Sequence, residues 1–201
     1  PVAASRPRAS PAQDSAEALG LAAPYIALSC GGSGWERKGV HFASDALDAS
    51  GNPRMRLFVA GRGNQRKYKS GRAHFLGVVH DLPALYAAAD IFILPTIYDP
   101  FSSASLEALA AGVPVITTRA NGLSEVIENG VHGSVVDDSR DTHALVDAIQ
   151  VWSNPERRAE AKPRILERAA QFDISTNVAR TLEILFQAAS AASTSGKSLN
   201  T

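Results

Sequence analysis

The chain has 201 residues, 45% of them hydrophobic and 20% charged, ordinary proportions for one globular domain with a sizeable core. Lys plus Arg and Asp plus Glu stand at 20 each, so charge balance points to neither nucleic acid nor an acidic membrane as partner. A single cysteine, Cys30, rules out an internal disulfide framework and points to a reducing compartment such as the cytoplasm, and no apolar run reaches the roughly 18 residues of a membrane span.

Residues 1–16 are rich in Pro, Ala, Ser and Arg and read as a linker. The start has neither an initiator methionine nor an apolar signal-peptide core, so the chain reads as a piece of something longer. From residue 17 to 189, apolar runs alternate with helical patterns. Strands are predicted at 25–30 (YIALSC), 56–60 (RLFVA), 73–76, 91–94 (IFIL), 113–117 (VPVIT) and 134–136. Several of these runs are continuously apolar, the pattern of strands covered on both faces of a parallel sheet. Helices are predicted at 40–49, 82–89, 103–111, 124–129, 142–152 and twice more across 155–189, and residues 190–201 read as a frayed tail. The whole is an α/β domain, a Rossmann-like parallel sheet of about six strands with helices on both faces.

Ligands of such sheets sit beyond the carboxyl ends of the strands. That rule gathers four loops, 31–39, 61–69, 95–103 and 118–122. The first, GGSGWERKG, has four glycines that let backbone approach a ligand closely, followed by Arg37 and Lys38 at a helix entry. Arginine offers a bidentate fork to phosphate and lysine a mobile point charge; a flexible turn with solvated basic residues is the plainer reading. The third loop opens the segment YDPFSSASLEALAAGVPVITT, in which Asp99 and Glu107 stand eight positions apart across the start of a helix. N–H groups at a helix start cradle phosphate, and carboxylates on either side can grip sugar hydroxyls. The alternative is a surface loop followed by an ordinary buried helix.

Other chemistries fail on the residues. Gly32-Ser33-Gly34 and Gly61-Arg62-Gly63 both lack the third glycine of a dinucleotide fingerprint, and the one GKS sits in the tail, away from any strand. The five histidines show no i,i+4 pair and no neighbouring cysteine, so no metal site is expected. No G-x-S-x-G nucleophile elbow occurs.

One set of motifs carries a family resemblance. Asp99-Pro100-Phe101-Ser102-Ser103-Ala104-Ser105-Leu106-Glu107-Ala108 is similar to the signature E-P-F-G-x-x-x-L-E-A. Arg37-Lys38-Gly39, Phe75-Leu76-Gly77, Leu82-Pro83-Ala84-Leu85-Tyr86, Ala88-Ala89-Asp90-Ile91 and Asn121-Gly122-Leu123-Ser124-Glu125 accompany it in order. From about Leu19 to Phe186 the chain resembles the C-terminal, donor-binding domain of family-four retaining glycosyltransferases, the second half of a GT-B fold. WERKGV and GRGNQRKY look most like the branch of lipopolysaccharide-core glucosyltransferases, which act on a heptose acceptor.

The resemblance implies a UDP-hexose donor, a glycan or glycolipid acceptor, no metal or other cofactor, and an N-terminal domain elsewhere in the same chain. It implies a cytoplasmic protein, peripheral at the inner face of the cell membrane when whole. Without the N-terminal domain it implies donor binding but no transfer. Lys38, with Arg37, would neutralise the donor diphosphate, and the Gly31, Gly32, Ser33 and Gly34 backbone would pass close beside it. Glu107 would hold the ribose and Asp99 the transferred hexose. Backbone N–H groups of Phe101, Ser102 and Ser103 would bind sugar oxygens and the distal phosphate, and the backbone at Val78 and Val79 would pair with uracil. Two positions depart from the pattern: the first glutamate is shortened to Asp99, and an arginine that many members carry before the lysine is Gly32. A GT-B sugar-nucleotide epimerase and a non-catalytic nucleotide-sugar module share this architecture and stay open.

Overall fold

The computed structural model describes residues 25–29, 34–53, 55–68, 70–172 and 174–195. Gly31, Gly32, Ser33, Cys30 and the linker read at 1–16 therefore lie outside the described residues. Among the described residues, six strands form one parallel sheet: β1 (Tyr25–Ser29), β2 (Arg56–Ala60), β3 (Ala73–Gly77), β4 (Ile91–Leu94), β5 (Val115–Thr118) and β6 (Gly133–Val136). Their order is β3-β2-β1-β4-β5-β6, with every pairing parallel.

Among the described residues, six α-helices accompany the sheet: α1 (Val40–Ala49), α2 (Leu82–Ala88), α3 (Ser103–Ala110), α4 (Thr142–Ser153), α5 (Pro155–Ala170) and α6 (Ile174–Ser195). Their starts are written in the sequence. Asp81, Ser102, Asp141 and Asn154 each cap a helix by accepting a backbone N–H, and Pro83 and Pro155 sit in first turns where no N–H is needed. Right-handed crossovers fix the layers. The β1–α1–β2 connection steps one way along the sheet, while β3–α2–β4 and β4–α3–β5 step the other way, so α1 lies on one face and α2 and α3 on the opposite one. Helix α4 packs on α1, and α5 packs on α3.

Every residue of β4 and β5 is buried, which explains the unbroken apolar run of β4, while the hydroxyls of Thr117 and Thr118 in β5 donate to the main-chain oxygens of Leu94 and Thr96. Phe92, Ile93, Leu94 and Ile116 are covered between the helical layers, each burial contributing roughly 1.5–3 kcal/mol. Trp152 closes the α4 side, its indole N–H donating to Ser134 Oγ at 2.9 Å.

Three elements differ from the sequence reading by more than one residue at an end. β5 begins at Val115, two residues late, because Val113 N–H still bonds Ala108 O and Pro114 has none to give the sheet. Helix α6 runs on to Ser195, so its last residues fall within the segment read as tail. The helix predicted at 124–129 is instead a short 3-10 turn, Gly122–Glu125, followed by a tight loop. Asn121 Oδ1 captures the Leu123 N–H, and further on Glu128 N–H donates to His132 Nδ1 at 3.1 Å while His132 N–H returns to Glu128 O at 3.1 Å. These side-chain bonds compete with helix continuation.

That loop titrates. Burial first, then the Arg168 guanidinium and more weakly Arg164, lower the His132 pKa from its ordinary 6.5, against an opposing pull from Glu128. The folded imidazole resists a proton that the unfolded chain accepts, so stability is full above about pH 6.5 and declines as pH falls below it. Protonation would also put an N–H where Nδ1 now accepts one. Between about pH 7.5 and 5.5 the urea midpoint should fall further for the native chain than for His132→Asn, which keeps an acceptor but does not titrate. Parallel pH dependences would remove His132 from the cause.

Candidate functional site

The strand order sets where a ligand can lie. Chain leaving β1 turns towards β2 and chain leaving β4 turns towards β5, so a crevice opens between them at the carboxyl ends of two adjacent strands. The two loops meet there. Gly39 has φ 74°, and a Cβ built on it would lie 2.0 Å from Pro95 O, so only glycine lets the loops touch. Arg37 O accepts Ile97 N–H and Thr96 Oγ1, both at 2.8 Å. Thr96 O in turn accepts Thr118 Oγ1 at 2.6 Å, which ties in the end of β5.

This scaffold brings Arg37, Lys38 and Asp99 together. Lys38 Nζ lies 3.3 Å from Asp99 Oδ2, with the two side chains only 9% and 8% exposed. Arg37 is more open; its Nη1 donates to Tyr98 O at 2.6 Å and stands 3.9 Å from Asp99 Oδ2. Asp99 Oδ1 accepts the Phe101 N–H at 3.3 Å, and its backbone is clamped between Ala120 and Gly122.

Helix α3 starts beside this cluster. Ser102 is its cap, Ser103 is exposed at its first position, and the leading N–H groups of any helix lack an intrahelical partner. Of the three N–H groups expected to face a ligand, those of Phe101 and Ser102 bond within the protein, to Asp99 Oδ1 and to Asn121 Oδ1. Further along α3, Glu107 is exposed and its Oε2 accepts the hydroxyl of buried Tyr86 at 2.9 Å.

A separate cleft of about 420 Å³ lies at the ends of β2 and β3, lined by Trp35, Arg62, Gln65, Phe75 and Val78 among others. Trp35 stacks on Phe75 with ring centroids 5.0 Å apart, and Gly63 lies so close to the indole that a Cβ there would be 2.1 Å from the ring. Val78 is 51% exposed and Val79 is half-buried beside it, just past Gly77. Gly34 leads into the loop and accepts the Lys38 N–H at its carbonyl.

Three residues that hold the site were not assigned to it from sequence: Thr96, Asn121 and Tyr86. Asn121 is fully buried and joins Ser102 N–H, Leu123 N–H and Thr117 Oγ1, binding the start of α3 to the end of β5. Among the described residues, no group of three or more His, Cys, Asp or Glu side chains gathers at one point, and no helix is long and apolar enough to cross a membrane.

Chemically, two cations at a crevice beside a helix start can offset a polyanion, and an exposed carboxylate can take a diol. Comparison with known proteins narrows this. Residues 17–154 match the family described as glycosyl transferases group 1, which is more than half the chain. The chain belongs to that family.

Over 210 residues this glycosyltransferase domain is 35% identical to a glycogen synthase of Mycobacterium tuberculosis, covering 94% of the chain and 45% of that enzyme. It is 32% identical over 111 residues to the lipopolysaccharide core biosynthesis glycosyltransferase LpsE of Rhizobium meliloti, covering 51% of the chain and 32% of LpsE. The chain thus spans less than half the length of these curated relatives. Anabaena HepE, solved in complex with UDP and glucose, superposes with a TM-score of 0.71 at 25% identity, covering 86% of this chain and 52% of that one. WaaG, a glycosyltransferase involved in lipopolysaccharide biosynthesis, gives 0.73 at 25% identity over 82% of this chain and 48% of WaaG. The architecture is the Rossmann-like half of a GT-B glycosyltransferase.

Proposed function

We propose that the domain binds the UDP-hexose donor of a family-four, retaining glycosyltransferase that builds a glycan or lipopolysaccharide core. The observation that carries this reading is the Arg37–Lys38 pair gathered at Asp99, just before the start of α3, with the exposed Glu107 carboxylate one turn along that helix. Lys38 and Arg37 face the diphosphate, Glu107 takes the ribose hydroxyls, and uracil enters the cleft beside Val78 and Val79. The UDP complex of Anabaena HepE and the lipopolysaccharide enzymes among the relatives support the donor and the acceptor class.

As the glycosidic bond breaks, the nucleotide gains negative charge and the sugar becomes oxocarbenium-like. Two fixed cations and a helix start meet that charge without reorganising, and in this reading they take the place of a divalent ion. The acceptor is brought by an N-terminal domain across the cleft, which is where near-attack geometry is set.

Glu107 tests the reading. Glu107→Ala should weaken UDP by about 1.5–3 kcal/mol in a calorimetric titration, the range for a hydrogen bond to a charged group. Dideoxy-UDP, which lacks the diol, should bind both chains alike, and a chelator should leave UDP affinity unaltered. An unchanged UDP affinity in a folded Glu107→Ala chain would sink the ribose role.

A further inference from the structure

The carboxylate at position 99 stands where the resemblance places a ligand of the transferred hexose, and its surroundings suit a different task. Its side chain is 8% exposed, and both oxygens are engaged. Oδ1 accepts Phe101 N–H at 3.3 Å, while Oδ2 faces Lys38 Nζ at 3.3 Å and Arg37 Nη1 at 3.9 Å. The backbone cannot swing it outward, since Asp99 N–H bonds Ala120 O at 3.0 Å and Asp99 O accepts Gly122 N–H at 2.9 Å. Gly122 is wedged too closely for any movement towards it: a Cβ there would lie 2.0 Å from Pro100 O. Aspartate is also one methylene shorter than glutamate, so its reach ends within this cluster.

The cations need such an anchor. A lysine ammonium rides on a four-carbon stem with several rotors and has no preferred position of its own. Here segment 98–99 supplies two fixed acceptors, Tyr98 O for Arg37 and Asp99 Oδ2 for Lys38. We propose that Asp99 is a positioning residue that sets the Lys38 ammonium for the donor diphosphate and makes no bond to the transferred sugar. The proposal rests on the reading above, in which Lys38 meets that diphosphate. It also means that hexose choice is exercised by groups other than Asp99.

The two roles separate by ligand. Wild type, Asp99→Asn, Lys38→Met and the double variant Lys38→Met/Asp99→Asn are titrated with uridine, UDP and UDP-glucose, with folding followed by circular dichroism. A positioning role predicts that Asp99→Asn weakens UDP and UDP-glucose by the same factor, about tenfold, and leaves uridine unchanged. A sugar-binding role predicts unchanged UDP and a loss confined to UDP-glucose, which overturns the proposal while leaving the donor reading intact. If Asp99→Asn alone fails to fold, the double variant decides, because removing both charges leaves neither buried alone. Acting only through Lys38, Asp99→Asn should cost nothing further in the Lys38→Met background for either nucleotide. A further loss for UDP-glucose there overturns the proposal. Full UDP affinity in Lys38→Met would overturn the donor reading itself.

Discussion

Lys38→Met is expected to lower affinity for UDP about 10- to 150-fold and leave uridine binding unchanged, the span of one charged hydrogen bond of about 1.5–3 kcal/mol. Methionine keeps the length and apolar stem of lysine and removes only the ammonium. A loss that appears only when phosphates are present locates the ammonium against them. Equal losses for UDP and uridine would instead mean that Lys38 supports the fold of the whole crevice. Stability should fall as well. Lys38 and Asp99 form a buried pair, and removing one partner of such a pair typically costs about 3–5 kcal/mol. Arg37, 3.9 Å from the same oxygen, should offset part of that cost. Denaturant midpoints measured beside the titrations separate the two effects, since a folded fraction near unity makes the affinity change a property of the site.

Much of this arrangement is legible in the chain, for reasons that differ by element. β2 and β4 coincide with their predicted limits because their four-residue apolar runs, Leu57–Ala60 and Ile91–Leu94, are too short for a helix, are bounded by charged or turn residues, and suit strands covered on both faces. Asp81, Asp141 and Asn154 announce helix starts through their own side-chain oxygens, a short-range signal. Lys38 and Asp99 could each be placed in a loop at the ligand edge, but their contact joins positions 61 apart and depends on β1 lying next to β4. Local pattern carries no strand order. Tyr86, Asn121 and Thr96 were hidden for the same reason: each reads locally as a helix, turn or strand-end residue, and each acts through a bond fixed by packing of separate elements. The mistaken helix at 124–129 shows the converse, a helical pattern overruled by Asn121 and His132 side chains that satisfy backbone groups another way.

Gly39→Ala should be the most damaging small substitution at the crevice, costing about 3 kcal/mol or more of stability, because two separate penalties fall on one atom. The first is conformational. At φ 74° an L-residue pays roughly 1–2 kcal/mol for the left-handed backbone. The second is steric: the new Cβ would lie 2.0 Å from Pro95 O and 2.8 Å from Pro95 C, both main-chain atoms that no rotamer change can move aside. Gly51 provides the control within the same protein. Its φ of 70° is nearly the same, yet nothing lies within 4 Å of a Cβ built there. Gly51→Ala should therefore show the conformational penalty alone, about 1–2 kcal/mol. For a chain of this size each kcal/mol shifts Tm by about 2–4 °C, so the two variants should melt several degrees apart. UDP affinity should divide them more sharply. Relieving the Gly39 clash forces the loops after β1 and β4 apart and carries Lys38 away from Asp99, whereas Gly51 lies beyond the far end of α1. If both variants melt together and bind UDP alike, the contact of these two loops does not hold the site.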